Sequence, residues 1–418
     1  MRVCMLVTTT YTHDSRVRRE AEHLAELGHD VHIVCTYGGG ESVTSHDVGP
    51  VKVHRVSLRS RDVPSALAAR IHRWRPSRSP TPSSVTTASP SKRTRWGGAR
   101  AATVARALAS PALLAYRSSL GRRMARVGTQ LAPDVVHAHD ADTLGAAARI
   151  TAHGARLVYD AHELSSHRAD VFWWERRLDA LRERRWIPRA AVTITVSPGI
   201  GEILADRHAI SPVIIRNIPV LRLDGPPYYD LREQIGVAPG TRLVLHQGQR
   251  APDRGLEALV RAMAIVEDAH LVLLGSAVRG MDTTLEHEAT AAAVSDRVHF
   301  LDAIPSDRLL TVTAQADVGV TLLEGSSLNH QLALPNKLFE YLAAGVPVVA
   351  SDLPEIRRVL EACGGGVVCD PSDSGSIAAA LQAPSGRPDR ERVPTAREEL
   401  QKLEACYRTL GLRDQKRF

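Results

Sequence analysis

Lys337 and Glu340 stand three residues apart just behind a proline, a spacing able to hold an anion and neighbouring hydroxyls together. They lie in Leu334-Pro335-Asn336-Lys337-Leu338-Phe339-Glu340-Tyr341-Leu342-Ala343-Ala344-Gly345-Val346-Pro347-Val348-Val349-Ala350-Ser351. Proline suits the first turn of a helix, where its missing N–H leaves nothing unsatisfied. A helix is therefore predicted to start beside Asn336 and Lys337. Free N–H groups and the positive end of the helix dipole make such a start a phosphate site, and Lys337 adds an ammonium. Glu340 is i+4 from Asn336 and i+3 from Lys337, so all three address one ligand. Its carboxylate can accept from two sugar hydroxyls. Gly345 ends the helix, and 346–351 reads as a buried strand. An amphipathic helix carrying Lys337 and Glu340 as a solvated pair fits the same letters.

A second anion candidate is His246-Gln247-Gly248-Gln249-Arg250-Ala251-Pro252-Asp253-Arg254-Gly255-Leu256. Gly248, after a strand, permits close backbone approach, and Arg254 before a helix can reach a diphosphate. Arg254 would equally cap that helix or pair with Glu257. In the first half, His137-Ala138-His139-Asp140 and Tyr159-Asp160-Ala161-His162-Glu163 each end a strand with histidine and acid. Alternation puts His137 and His139 on one side and Asp140 at the tip. Each histidine would also serve as a satisfied structural residue. Near the N-terminus, Asp14 or Ser15 caps a helix that carries Arg16. That loop has no G-x-G-x-x-G, which removes the main support for a nicotinamide enzyme. Gly38-Gly39-Gly40 precedes no phosphate-type helix.

These residues need a scaffold, and strands alternate with helices throughout, as in parallel sheets. Strands are expected at 2–7, 30–36, 51–56, 134–139, 155–160, 192–196 and 213–216, then at 242–246, 270–274, 298–301, 318–323, 347–350 and 366–370. At 418 residues the chain exceeds one ordinary core. The fold class is α/β, with two doubly wound, Rossmann-like parallel-sheet domains facing across a cleft and ligands at the carboxyl ends of the strands. Residues 219–229, with Pro219, Gly225, Pro226 and Pro227, are the linker.

Five cysteines without a C-x-x-C suit reduced thiols in the cytosol. No window is long enough to span a membrane, so a cytoplasmic protein is expected, peripheral on the inner membrane face at most. Arg55 to Arg126 holds sixteen Lys or Arg against Asp62 alone, so the net charge of +7 hides about +15 there and −8 elsewhere. Within it, 75–91 is expected to be disordered and 100–130 helical. A basic loop and helix over 55–126 suit an anionic membrane surface, and a solvated insertion without a partner suits the composition too. Nucleic acid is excluded as a partner, because no binding motif accompanies the charge. Phe172-Trp173-Trp174-Glu175-Arg176-Arg177 and the arginines after it put aromatic and basic residues on one helix, which is expected to cover the cleft-side core, with acceptor or membrane contact as the alternative.

Asn336-Lys337-Leu338-Phe339-Glu340-Tyr341, with Gly345-Val346-Pro347-Val348-Val349-Ala350 and Asp352-Leu353-Pro354-Glu355, resembles the donor site of glycosyltransferase family 4. The start Asp14-Ser15-Arg16-Val17 resembles one of its subgroups. The resemblance implies the GT-B fold, with an acceptor-binding domain over 1–218 that carries a basic insertion at 59–126, and a nucleotide-sugar domain over 230–393. The helix in 394–418 would cross back to the first domain. It implies a retaining, metal-independent glycosyltransferase needing no cofactor. Its co-substrate would be a nucleotide-diphosphate sugar, UDP-sugar by preference, and its acceptor a hydroxyl in glycan, glycolipid or glycosylated-metabolite synthesis. By the same resemblance His162 contacts the donor sugar, Arg254 and Lys337 hold the diphosphate, and Glu340 holds the ribose. Asn336, Gly248, Arg250 and Leu338 complete the donor site, while Arg16, His139, Asp140 and Glu324 face acceptor or sugar. The family's first glutamate falls on Leu332, with Glu324 and Asn336 as substitutes. A sugar-nucleotide 2-epimerase and a non-catalytic nucleotide-sugar or membrane-binding protein are the competing readings.

Overall fold

The structure, a computed structural model, describes residues 1–11, 14–36, 43–57, 114–168, 172–220, 225, 227–383 and 386–414. The expected features at 38–40, 75–91 and most of 55–126, and residues 221–224 and 226 of the linker, lie outside them.

The first sheet contains β1 (Arg2–Val7), β2 (Asp30–Thr36), β3 (Val43–Val48), β4 (Val51–Val56), β5 (Val135–His139), β6 (Arg156–Ala161), β7 (Val192–Thr195) and β8 (Val213–Ile214). Its order is β3-β4-β2-β1-β5-β6-β7-β8. β4, β2, β1, β5 and β6 run parallel, and β3 is antiparallel to β4. The second sheet contains β9 (Arg242–Gln247), β10 (Ala269–Leu274), β11 (Val298–Leu301), β12 (Val318–Thr321), β13 (Val348–Ser351) and β14 (Gly366–Cys369), all parallel, in the order β11-β10-β9-β12-β13-β14. Both orders reverse direction from the first strand of the domain outward, the mark of a doubly wound sheet, which places binding loops at the strands' carboxyl ends. The chain divides into two compact units, Met1–Asp160 with Asp170–Val192, and Ala161–Ala169 with Thr193–Phe418.

Thirteen of these fourteen strands fall where the hydrophobic runs put them. β3 is the addition. Its Val-Thr-Ser-His-Asp-Val letters hold few apolar residues, and pairing with β4 across Gly49-Pro50 makes it a strand. Gly49 takes φ 58°, which a glycine adopts without strain. The Gly-Pro pair was the available sequence signal.

Burial on both faces explains why the second sheet reads as unbroken apolar runs. Leu243, Leu245, Val272 and Leu274 pack into one cluster with Leu338, Phe339, Tyr341 and Leu342. Val244, Leu271 and Leu273 point to the other, with Leu256, Leu259, Leu285 and Ile377. Alternate residues thus face opposite helical layers. All five cysteines are buried, and none is in a disulfide. No helix among the described residues is long and apolar enough to cross a membrane.

Candidate active site

The helix Asn336–Ala344 forms as its letters require. Pro335 precedes it at φ −70° with no side-chain cap, and Gly345 closes it in the left-handed region at φ 76°. Proline supplies the entry turn without becoming the first helical residue. The helix start is thus left open to a ligand.

Tyr341 locks this helix to the tip of β9. Its ring fills the space that a side chain at Gly319 would need, with a Cβ there 2.4 Å from the ring. Its hydroxyl donates to the Leu245 carbonyl at 2.9 Å and accepts from the Gln247 N–H at 2.9 Å. Gln247 in turn accepts from the Thr313 hydroxyl at 2.7 Å through its amide oxygen and donates to Glu340 through its amide nitrogen. One carboxylate oxygen of Glu340 is therefore fixed by the protein. Burial raises the Glu340 pKa, against the opposing pull of Gln247 and Lys337. Replacing Tyr341 with phenylalanine leaves a buried N–H and carbonyl short of a partner, and should cost about 1–3 kcal/mol of stability in denaturant unfolding. An unchanged midpoint would show that the hydroxyl does not hold the two elements together.

Lys337 lies at Gly248, and Arg254 is close enough to act on its charge. A Cβ at Gly248, where φ is 111°, would lie 3.6 Å from the Lys337 ammonium, so glycine keeps this place open. The neighbouring loop comes equally close, since a Cβ at Gly275 would meet the Gly248 carbonyl oxygen at 2.1 Å. Burial, with Arg254 near and Glu340 opposing, pulls Lys337 down to about 7. Burial lowers Arg254 too. Beneath them His246 is fully buried and held neutral, by burial first and then by Lys337, Arg254 and Arg250. Neither Lys337 nor Arg254 has a carboxylate within ion-pairing distance among the described residues. Two desolvated cations that no carboxylate neutralises at ion-pairing distance make a candidate anion-binding site.

His162 follows β6 and is half-buried. The loop behind it is tied to the approach to the Lys337 helix. Asn329 accepts from the Leu164 N–H at 2.9 Å and donates to the Leu164 carbonyl at 3.1 Å and to Glu163 at 3.2 Å. Asn336 is half-buried in the first helical turn. Glu324 is half-buried, with its N–H on the Asp253 carbonyl at 3.1 Å. Leu332 is 8% exposed, and its side chain lies 2.6 Å from where a Cβ on Gly199 would stand.

Three residues expected at the ligand are placed otherwise. Arg250 is spent on its own domain, donating to Asp282 at 2.6 and 2.9 Å and to the carbonyls of Leu273, Gly275 and Leu301. That guanidinium ties the β9 and β10 loops together instead of addressing a phosphate. Leu338 is in the core, and its N–H is on the Pro335 carbonyl at 3.0 Å. Arg16 is 3% exposed inside the first unit, forked onto Asp160 at 2.9 and 3.0 Å and onto Glu20 at 3.1 Å. Burial would lower its pKa, yet Asp160 and Glu20 raise it overall.

His139 joins that cluster, 1% exposed, with Nδ1 3.4 Å from Asp160 and its ring stacked on His137 at 4.4 Å. Asp140 turns the chain at φ 61°, its N–H on the Asp160 carbonyl at 2.9 Å. Glu20, His137, His139 and Asp160 have ligand atoms within 4.8 Å of one another, the spacing of a metal set. Arg16 already supplies the cation for both carboxylates, so the set does not fit a metal. Sequence reasoning missed Gln247, Thr313, Asn329, Glu20 and Asp160. Only Asp160 carried a signal, as the acid at a strand end.

Comparison with known proteins bears on both units. Residues 13–220 match the family described as a glycosyl transferase 4-like domain, and residues 241–383 match glycosyl transferases group 1. A D-inositol 3-phosphate glycosyltransferase of Mycolicibacterium gilvum is 32% identical over 123 residues, 29% of this chain and 26% of that protein. The chain thus spans about a quarter of the length of that curated relative. Among solved structures, sucrose-phosphate synthase from Thermosynechococcus elongatus superposes with a TM-score of 0.60 at 19% identity, over 99% of this chain and 98% of that one. Anabaena HepE in complex with UDP gives 0.61 at 16%, over 98% and 100%. At these identities the likeness concerns the fold, two parallel-sheet α/β domains of the GT-B kind.

Proposed function

The chain belongs to the glycosyltransferases, whose family models match residues 13–220 and 241–383, and from that premise we propose a retaining transfer of sugar from a nucleoside-diphosphate sugar to a hydroxyl acceptor. The observation that carries this reading is Lys337 at Gly248 with Arg254 near it, two cations with no carboxylate within ion-pairing distance among the described residues. A diphosphate supplies the missing negative charge. As the bond from the sugar C1 to the phosphate oxygen breaks, charge grows on the leaving diphosphate, and these two side chains stabilise it in place. The acceptor oxygen bonds C1 on the same face, and its proton passes to the departing phosphate oxygen. Glu340, fixed on one side by Gln247, presents its carboxylate to the ribose hydroxyls. His162 contacts the donor sugar, and Asn336 or Glu324 takes the work that Leu332 cannot do. UDP is the favoured donor nucleotide, as HepE was solved with UDP. No cofactor is required in this scheme, and the two cations do the work of a divalent ion at the diphosphate.

The test is binding and slow hydrolysis of uridine, guanosine, adenosine and thymidine diphospho-sugars by the full chain, with a chelator present. UDP-sugar should bind and release UDP. Conversion to an epimeric nucleotide sugar would mark an epimerase, binding without turnover a non-catalytic protein, and binding of none would sink the reading.

A pH series adds a second arm. Above about 7 the Lys337 of the donor-free protein is neutral. A bound diphosphate favours the ammonium, so its pKa is higher in the complex and binding takes up a proton. UDP affinity should then fall as pH rises above about 7, by up to about tenfold per unit. Calorimetry in two buffers of different ionisation heat reads the proton directly, and a flat profile with no uptake removes Lys337 from the diphosphate.

A further inference from the structure

We infer that the outward face of the helix Trp173–Trp186, in the first unit, is a docking surface for an anionic lipid bilayer. The helix is built the reverse of an ordinary surface helix, which turns its acids to water. Glu175, Asp179 and Glu183, spaced four apart, are 3%, 1% and 4% exposed. Each is held inward: Glu175 by Arg117 at 2.6 Å, Asp179 by Arg182 at 2.8 Å, and Glu183 by the Tyr159 hydroxyl at 2.7 Å.

The opposite face carries Trp173 and Leu181, both 63% exposed, with Arg177, Arg184 and Arg185 exposed around them and Arg189 just past the helix end. No acidic residue between Phe172 and Arg189 is exposed. Arg177 lies over the Trp173 ring at 5.3 Å, and Arg185 and Arg189 flank Trp186 at 5.6 and 5.8 Å. Two large apolar side chains ringed by cations, with every acid withdrawn, match the headgroup layer of an anionic bilayer. There Trp and Leu reach below the phosphates while the guanidiniums stay among them. A nucleic-acid backbone would answer the charge but leave Leu181 in water. The contacts of Glu175 with Arg117 and of Glu183 with Tyr159 tie the acidic side of the helix to the rest of the unit and leave this face outward.

The experiment is co-sedimentation of the full chain with vesicles of phosphatidylcholine alone and with about one-third phosphatidylglycerol. Binding is expected only with phosphatidylglycerol. Replacing Arg177, Arg184 and Arg185 together with glutamine should weaken it at least about tenfold, and W173A with L181A several-fold. These residues are on the surface, so UDP binding and the thermal melt serve as controls for folding. As a second readout, brominated lipid should quench the tryptophan emission, less so after W173F. No binding by the unaltered chain overturns the proposal. So does binding that survives both sets of substitutions, which would assign the contact to the basic stretch at 55–126.

Discussion

Replacing Arg254 or Lys337 with alanine lowers sugar transfer by about 10²–10³-fold while the protein remains folded. The two cations stand on different elements of the second unit, Arg254 before the helix Leu256–Ala262 and Lys337 in the first turn of Asn336–Ala344. The arrangement is unfavourable in the donor-free protein, since both charges are desolvated and Arg254 further depresses Lys337. Lys337→Met should therefore be at least as stable as the parent in thermal unfolding, although transfer is lost. Losing activity while keeping or gaining stability is the signature of a group held for its ligand. The measurement is nucleotide release under saturating donor alongside a melting curve. A variant that melts early and turns over normally would make Lys337 a structural residue.

Arg16→Met should destabilise the first unit by about 3–5 kcal/mol, because it strands two buried carboxylates. Asp160 is wholly buried and Glu20 is 3% exposed, and Arg16 pairs with both. Neither acid can recover by turning to water. The neighbouring Arg18–Glu22 pair has the same i,i+4 spacing but lies at 3.9 Å with both side chains more than 40% exposed, so Arg18→Ala should change stability by no more than about 0.5 kcal/mol. Denaturant unfolding of both variants decides the matter. Equal small effects would mean that the cluster relaxes around the loss and that Arg16 is not its keystone.

These two arginines show where local reading stops. Both sit on the same helix two residues apart, and nothing in Ser15–Glu26 distinguishes the buried one from the solvated one. Arg16 is decided by Asp160, 144 residues away, delivered by β6 beside β5 and β1. Arg250 likewise belongs to the expected donor site only through the family resemblance. Asp282, in the first turn of the helix Met281–Ala291, takes its guanidinium.

The sequence by itself determined the thirteen core strands, the parallel sheets and the helix from Asn336 to its glycine stop, because hydrophobic runs, proline and glycine act locally on the backbone. It also set Asn336, Lys337 and Glu340 on one face of that helix, while Gly248 and Arg254 were joined to them by the family resemblance. The tertiary structure decided which charges are satisfied. It buried Arg16 and Arg250 in ion pairs, turned the acids of Trp173–Trp186 inward, and gave Arg254 and Lys337 no ion pair among the described residues. The free energy of a buried charge depends on the partner that the fold brings to it, and spacing along the chain carries no record of that partner.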